Sequence, residues 1–110
     1  MISKELLSKV LGYEVEIRGF KDKYIPANFE YIVDMIDVKT INIYELAHKC
    51  KEWAYNQGYV LDCFSKCTEI RKKNEEDILY IERGELFDDS SYDISLVFKA
   101  CQWILDNKEG

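Results

Sequence analysis

Glycine and proline are scarce in this sequence, and histidine occurs only once. The five glycines stand apart, at positions 12, 19, 58, 84 and 110, so the chain has neither a glycine-rich phosphate-binding loop nor a dinucleotide-binding fingerprint. These absences argue against a nucleotide-dependent enzyme, and we predict that the protein has no cofactor. The only proline, Pro26, biases Ile25 toward an extended conformation and therefore marks a connection.

Long apolar runs are also missing. No stretch approaches the roughly 18 apolar residues that a membrane-spanning helix needs, and the N-terminal sequence MISKELLSKVLG is too polar for a signal peptide. The chain has 110 residues, of which 47% are apolar and 33% charged, and this composition is typical of one globular domain. We therefore expect a single domain over residues 1–110 that is cytoplasmic and has no membrane partner.

The four cysteines do not have the spacing of a metal site. Cys63 and Cys67 are separated by three residues rather than the two of a zinc knuckle. In an extended segment their thiols would lie roughly 13 Å apart, too far for a disulfide, whereas a turn between them would bring them together. Cys50 and Cys101 fall on apolar helix faces, where a reduced thiol behaves as a small hydrophobic group. No metal ligands are predicted.

The strongest pattern in the chain predicts a central helix over residues 42–58. Asn42 is a favourable N-cap with Glu45 three residues later, and Gly58 can adopt the left-handed conformation that ends a helix. Apolar residues recur every three or four positions, which places them on one helix face: Ile43, Leu46, Ala47, Cys50, Trp53 and Ala54. Such a face must be buried against another surface, so the rest of the chain has to provide one.

Two further helices are predicted. A short first helix covers residues 3–11 and stops at Gly12. A last helix over residues 93–107 repeats the spacing of the central helix, with one face made of Ile94, Val97, Phe98, Cys101, Ile104 and Leu105.

Alternating apolar and polar residues predict strands at 13–18 and 28–38, followed by a short connection, VKT. A hairpin of strands 59–70 and 78–83 is predicted around the polar turn RKKNEED. Together these elements indicate the α+β class. The predicted fold is a small antiparallel sheet of about four strands with two long amphipathic helices packed on it and a short N-terminal helix.

His48 is the obvious candidate for acid–base chemistry. It precedes Glu52 by four residues, so the imidazole and the carboxylate can touch on one helix face. An exposed pair of this kind is common on helices, and a base without a nucleophile is weak evidence for catalysis. We predict that the protein is not an enzyme and has no catalytic residues, with a small His48-dependent hydrolase or metal enzyme as the alternative.

Negative charge is concentrated in the last third of the chain. Residues 1–74 carry a net charge of +1 and residues 75–110 a net charge of −7, which disfavours direct nucleic-acid binding. Asp93 suits the positive N-terminal end of the last helix. The other acids either solubilise the chain or form a surface for a basic protein partner. The candidate partner-binding residues are Glu75, Glu76, Asp77, Glu82, Glu85, Asp88 and Asp89.

Three segments of the chain form a familiar pattern: the N-terminal ELLSKVLG, the junction AYNQGYVL and the terminal LVFKACQWIL. With these segments the chain resembles small, uncharacterised phage and prophage proteins of the α-β-α sandwich type. The resemblance covers roughly residues 42–107, and residues 13–41 look like additional strand material by comparison. It implies a mobile-element origin and a small α+β fold, and it brings no catalytic residues with it because the family has no assigned activity.

The leading hypothesis is a non-enzymatic protein-interaction module, encoded by a phage or mobile element, with an unidentified protein partner. The partner would bind an exposed strand edge or the acidic C-terminal surface. An acidic mimic of nucleic acid that inhibits a host protein is a second version of the same idea. Assembly as a homo-oligomer through a sheet edge is a further hypothesis.

Overall fold

The computed structural model describes residues 2–20, 28–64, 66–84 and 94–107. Within these ranges the helices are α1 (Lys4–Leu11), α2 (Ile43–Asn56) and α3 (Ile94–Asn107). The strands are β1 (Val15–Phe20), β2 (Asn28–Val33), β3 (Asp37–Asn42), β4 (Tyr59–Cys63), β5 (Cys67–Lys72) and β6 (Ile78–Arg83). The α+β class predicted from the sequence is confirmed.

The central helix is specified by its ends as the sequence predicts. The Asn42 side chain accepts a hydrogen bond from the backbone N–H of Tyr44 at 2.9 Å, which satisfies one of the free donors of the first turn. Gly58, two residues after α2, has a φ of 97°, a conformation that glycine adopts without a Cβ clash. The helix therefore begins and ends for local reasons.

The strands form two antiparallel sheets of three, in the orders β1-β2-β3 and β4-β5-β6. The prediction of one sheet of about four strands was wrong in this respect, because two predicted strands each fold back on themselves. Residues 28–38 reverse at 34–36, and the supposed connection VKT lies within β3. Residues 59–70 reverse between β4 and β5, where the backbone N–H of Phe64 donates to the Cys67 carbonyl at 2.8 Å.

The helices pack on one face of each sheet, the face that carries its buried residues. Helix α2 contacts α3, β3 and β4, α3 also contacts all three strands of the second sheet, and α1 packs on β1. Most residues of the predicted helix faces are buried, whereas Ile43, Ile94 and Leu105 are half-buried. Helix α3 also buries Leu96 and Ala100, because it contacts helices as well as strands. The buried cluster joins both sheets and includes Val15, Phe29, Tyr31 and Ile41 from the first sheet and Ile70 from the second.

The molecule is flat, with principal extents of 44 × 36 × 17 Å. A thickness of 17 Å accommodates one layer of helices on one layer of strands, since packed layers lie roughly 10 Å apart. Each sheet contributes the residues of one face to the common buried cluster, and the described strands of each sheet pair only within that sheet. This arrangement leaves the outer face of each sheet, and the strands at its edges, available to solvent or to a partner.

Candidate protein-interaction surface

The tip of the β2–β3 hairpin is the most exposed apolar part of the described chain. The side chains of Met35 and Ile36 are each 81% exposed, and Val38, just after the turn, is 49% exposed. The comparable turn between β5 and β6 is made of polar residues, 73–77. Isolated exposed apolar residues are normal on protein surfaces, whereas a contiguous exposed set indicates an interaction site.

The same tip also departs from the preferred chemistry of its turn. Asp34 and Met35 have φ values of 53° and 64°, and the backbone N–H of Ile36 donates to the Val33 carbonyl at 3.2 Å. Two consecutive positive φ angles characterise a type I′ turn, for which Asn-Gly, Asp-Gly and Gly-Gly are strongly preferred, so Asp34 fits its position and Met35 stands where glycine is preferred. A left-handed conformation costs a residue such as methionine roughly 1 kcal/mol. A bulky apolar side chain is therefore placed in water at a position where glycine would be more stable.

A shallow hollow of about 360 Å³ lies beside this tip on the outer side of the first sheet. It is lined by Glu14, Val15, Glu16, Ile32, Asp34 and Met35. The Lys4 ammonium group donates a hydrogen bond to the Glu16 carboxylate at 2.6 Å. This hydrogen bond, together with the negative charge of Glu16, raises the pKa of Lys4. The hollow thus combines apolar side chains with three carboxylates, one of which pairs with Lys4 of α1.

Strand β3 lies at one edge of the first sheet, and it was not predicted from the sequence as a separate strand. Residues 37–40 of β3 are all exposed, and within the described residues β3 pairs only with β2. The repeated pattern of acidic and apolar residues in VDMIDVKT is compatible with a turn followed by a second strand. It is equally compatible with one continuous strand. The unpaired backbone groups of such an edge can receive another strand.

The acidic candidates are only partly brought together. Glu75, Glu76 and Asp77 are exposed in the β5–β6 turn, beside the basic residues of 71–73. Arg71 donates to the backbone carbonyl of Glu75 at 3.2 Å. Glu82 lies half-buried on β6, away from the turn. The remaining candidates fall outside the described residues: Glu85, Asp88 and Asp89, together with Asp93. Nucleic-acid mimicry by this set stays a prediction.

Cys63 and Cys67 flank a turn, so the expectation of an extended segment between them was wrong. They nevertheless point to opposite sides of the sheet. Cys63 packs against the core and pairs with Thr68, which is buried on the same face, and side chains alternate along a strand. All four cysteines are free thiols. Among the described residues, no group of three or more His, Cys, Asp or Glu side chains is arranged to hold a metal ion.

His48 and Glu52 form the predicted contact, with Nε2 and Oε1 2.8 Å apart. Their side chains are 70% and 62% exposed. The shallow surface around them is lined by His48, Lys51, Glu52, Tyr55 and Asn56, all from α2. A group bound there would remain in water, where hydrogen bonds and charges stabilise a transition state least. The enzymatic alternative stays a prediction. The interpretation of His48 and Glu52 as an exposed surface pair can be tested by replacing His48.

Replacement of His48 by alanine is expected to change the free energy of unfolding by less than about 0.5 kcal/mol, because an exposed helix pair contributes little. Urea denaturation of the variant and the wild-type protein measures this difference. Tyr44→Ala, at another exposed position of α2, is the matched control. A loss above 2 kcal/mol would contradict the surface-pair interpretation and would return His48 to consideration as a functional residue.

No helix within the described ranges is long and apolar enough to cross a membrane. Comparison of the chain with protein-family models, curated proteins and solved structures gives no match.

Proposed function

We propose that this protein is a non-enzymatic interaction module that binds another polypeptide through the tip of its β2–β3 hairpin and the adjoining strand β3. The observation that carries the proposal is Met35, a large apolar side chain that is 81% exposed and held at positive φ. Residues that break a local rule without a compensating contact within the fold are characteristic of functional sites. Burial by a partner would supply the compensation.

The apolar surface exposed at the hairpin tip is large enough to contribute to binding another polypeptide. Burying a methionine or isoleucine side chain contributes about 1.5–3 kcal/mol of apolar transfer free energy, and Met35 and Ile36 lie side by side. A few well-buried side chains often carry most of the binding energy of an interface. A cytoplasmic location and a mobile-element origin are part of the proposal, supported by the sequence patterns.

Replacement of Met35 by glycine separates binding from folding. Glycine relieves the left-handed strain but loses more entropy on folding, so we expect the free energy of unfolding to rise by about 0.5–1 kcal/mol. Binding should weaken, because the exposed side chain is gone. Loss of binding in a more stable protein cannot be attributed to misfolding.

Binding is measured with a photo-crosslinking amino acid incorporated at Ile36, in cells that express the protein. The same probe at Tyr44, exposed on α2, is the control. We expect discrete crosslinked polypeptides from position 36, fewer in the Met35→Gly background, and none of them from position 44. Equal products from both positions, or no polypeptide product from position 36, would overturn the proposal.

A further inference from the structure

Strand β3 has an edge whose sequence is complementary to itself. Its residues 37–39 read Asp-Val-Lys, with an acid and a base flanking a central valine. Antiparallel pairing of two such strands about a two-fold axis at Val38 places Asp37 of each copy opposite Lys39 of the other. Opposite charges at directly paired positions stabilise an antiparallel sheet, and like charges destabilise it.

The alternative registers are less favourable. A two-fold axis perpendicular to a continuous sheet must pass midway between the two copies of one residue, since paired side chains have to lie on the same face. An axis at Asp37 opposes two carboxylates, and an axis at Lys39 opposes two ammonium groups. An axis at Thr40 places Lys39 opposite Ile41, which is buried in the core cluster. Only the axis at Val38 pairs the charges.

The same register also covers apolar surface that the hairpin exposes. Val38 pairs across the sheet with Ile32, so the two copies would form a continuous row of four β-branched side chains on the outer face. Ile36 of each copy would lie opposite Thr40 of the other. Contacts of this kind between β-branched residues contribute roughly 0.2–1 kcal/mol per pair beyond the backbone hydrogen bonds.

We infer that β3 docks against β3 of a second copy of this chain, giving a two-fold dimer with one six-stranded antiparallel sheet. The inference rests on the proposed function and names its partner. It follows from the exposure of residues 37–40, from the self-complementary charges and from the apolar residues of the hairpin tip. A closed two-fold contact also pairs the exposed backbone groups of β3, which would otherwise invite the addition of another strand.

Charge reversal tests the register directly. Sedimentation equilibrium at low salt, from micromolar to millimolar concentration, should show a reversible dimer of the wild-type protein. D37K and K39D, each made alone, should weaken dimerisation at least tenfold, because both pairs of the interface then oppose like charges. The double variant D37K/K39D and an equimolar mixture of the two single variants should both recover wild-type affinity.

A strictly monomeric wild-type protein at every concentration would overturn the inference. So would a mixture of the single variants that associates no better than either alone, since the dimer would then use another surface. Crosslinks from Ile36 to a different polypeptide, with a monomeric purified chain, would remove only the second copy as the partner. In that case the proposed binding function would stand, so the two failures are distinguishable.

Discussion

Replacement of Phe29 by alanine is expected to lower the free energy of unfolding by about 3–5 kcal/mol. Phe29 lies on β2 with 1% of its side chain exposed and pairs with Ile41 of β3. It belongs to the same buried cluster as the residues of α2 and α3. Removing its ring leaves a cavity that this closely packed surrounding can fill only in part. The expected loss is a large fraction of the total stability of a domain of this size, about 5–15 kcal/mol.

The two tryptophans make the test informative about the fold. Trp53 lies on α2, and Trp103 on α3 stacks on Tyr80 of β6 with ring centroids 4.9 Å apart. Both therefore report on the helices and the second sheet, whereas Phe29 lies in the first sheet. If residues 1–110 fold as one domain, the fluorescence transition in urea shifts in Phe29→Ala.

A smaller change at Phe29 keeps the test usable if the alanine variant does not fold. Phe29→Leu should shift the same transition by a smaller amount, and Tyr44→Ala, at an exposed position of α2, should leave it within about 0.5 kcal/mol of the wild-type value. An unchanged tryptophan transition in Phe29→Ala, accompanied by loss of the first sheet, would show that the two sheets fold independently.

Two of the four thiols should resist alkylation by about three orders of magnitude relative to the other two, since they react only when the domain opens. Cys50 and Cys101 are fully buried where α2 meets α3, and Cys63 and Cys67 are half-buried. The Cys101 thiol donates to the backbone carbonyl of Cys50 at 3.4 Å. Hydrogen bonding with Cys50 and burial together raise the pKa of Cys101, which suppresses the reactive thiolate.

Mass spectrometry of peptides from iodoacetamide-treated protein measures the four rates separately. The Cys63→Ser/Cys67→Ser double variant should lose the fast phase and keep the slow one, which then accelerates in urea in proportion to the unfolded fraction. Comparable rates at all four cysteines in the native protein would mean that the contact between α2 and α3 is open in solution. The packing described above would then be wrong.

The helices could be predicted because their signals are local. Asn42 and Gly58 define the ends of α2, and the spacing of Leu46, Cys50 and Trp53 defines its buried face. The reversal at 34–36 was missed because Met35 stands where this turn prefers glycine, and Asp34 alone does not distinguish a turn from an alternating strand. Missing that turn concealed β3 and with it the candidate interaction surface.

The sequence by itself determined the three helices, most of the residues that they bury and the absence of any glycine-rich nucleotide motif. Tertiary structure alone decided that the strands divide into two sheets, that Cys63 and Cys67 face opposite sides, and that β3 is an edge. The reason is that the spacing of apolar residues indicates only which side chains are buried. Strand order and free edges depend on where the chain reverses, and helix α2, which lies between β3 and β4 in the chain, separates the two sets of consecutive strands.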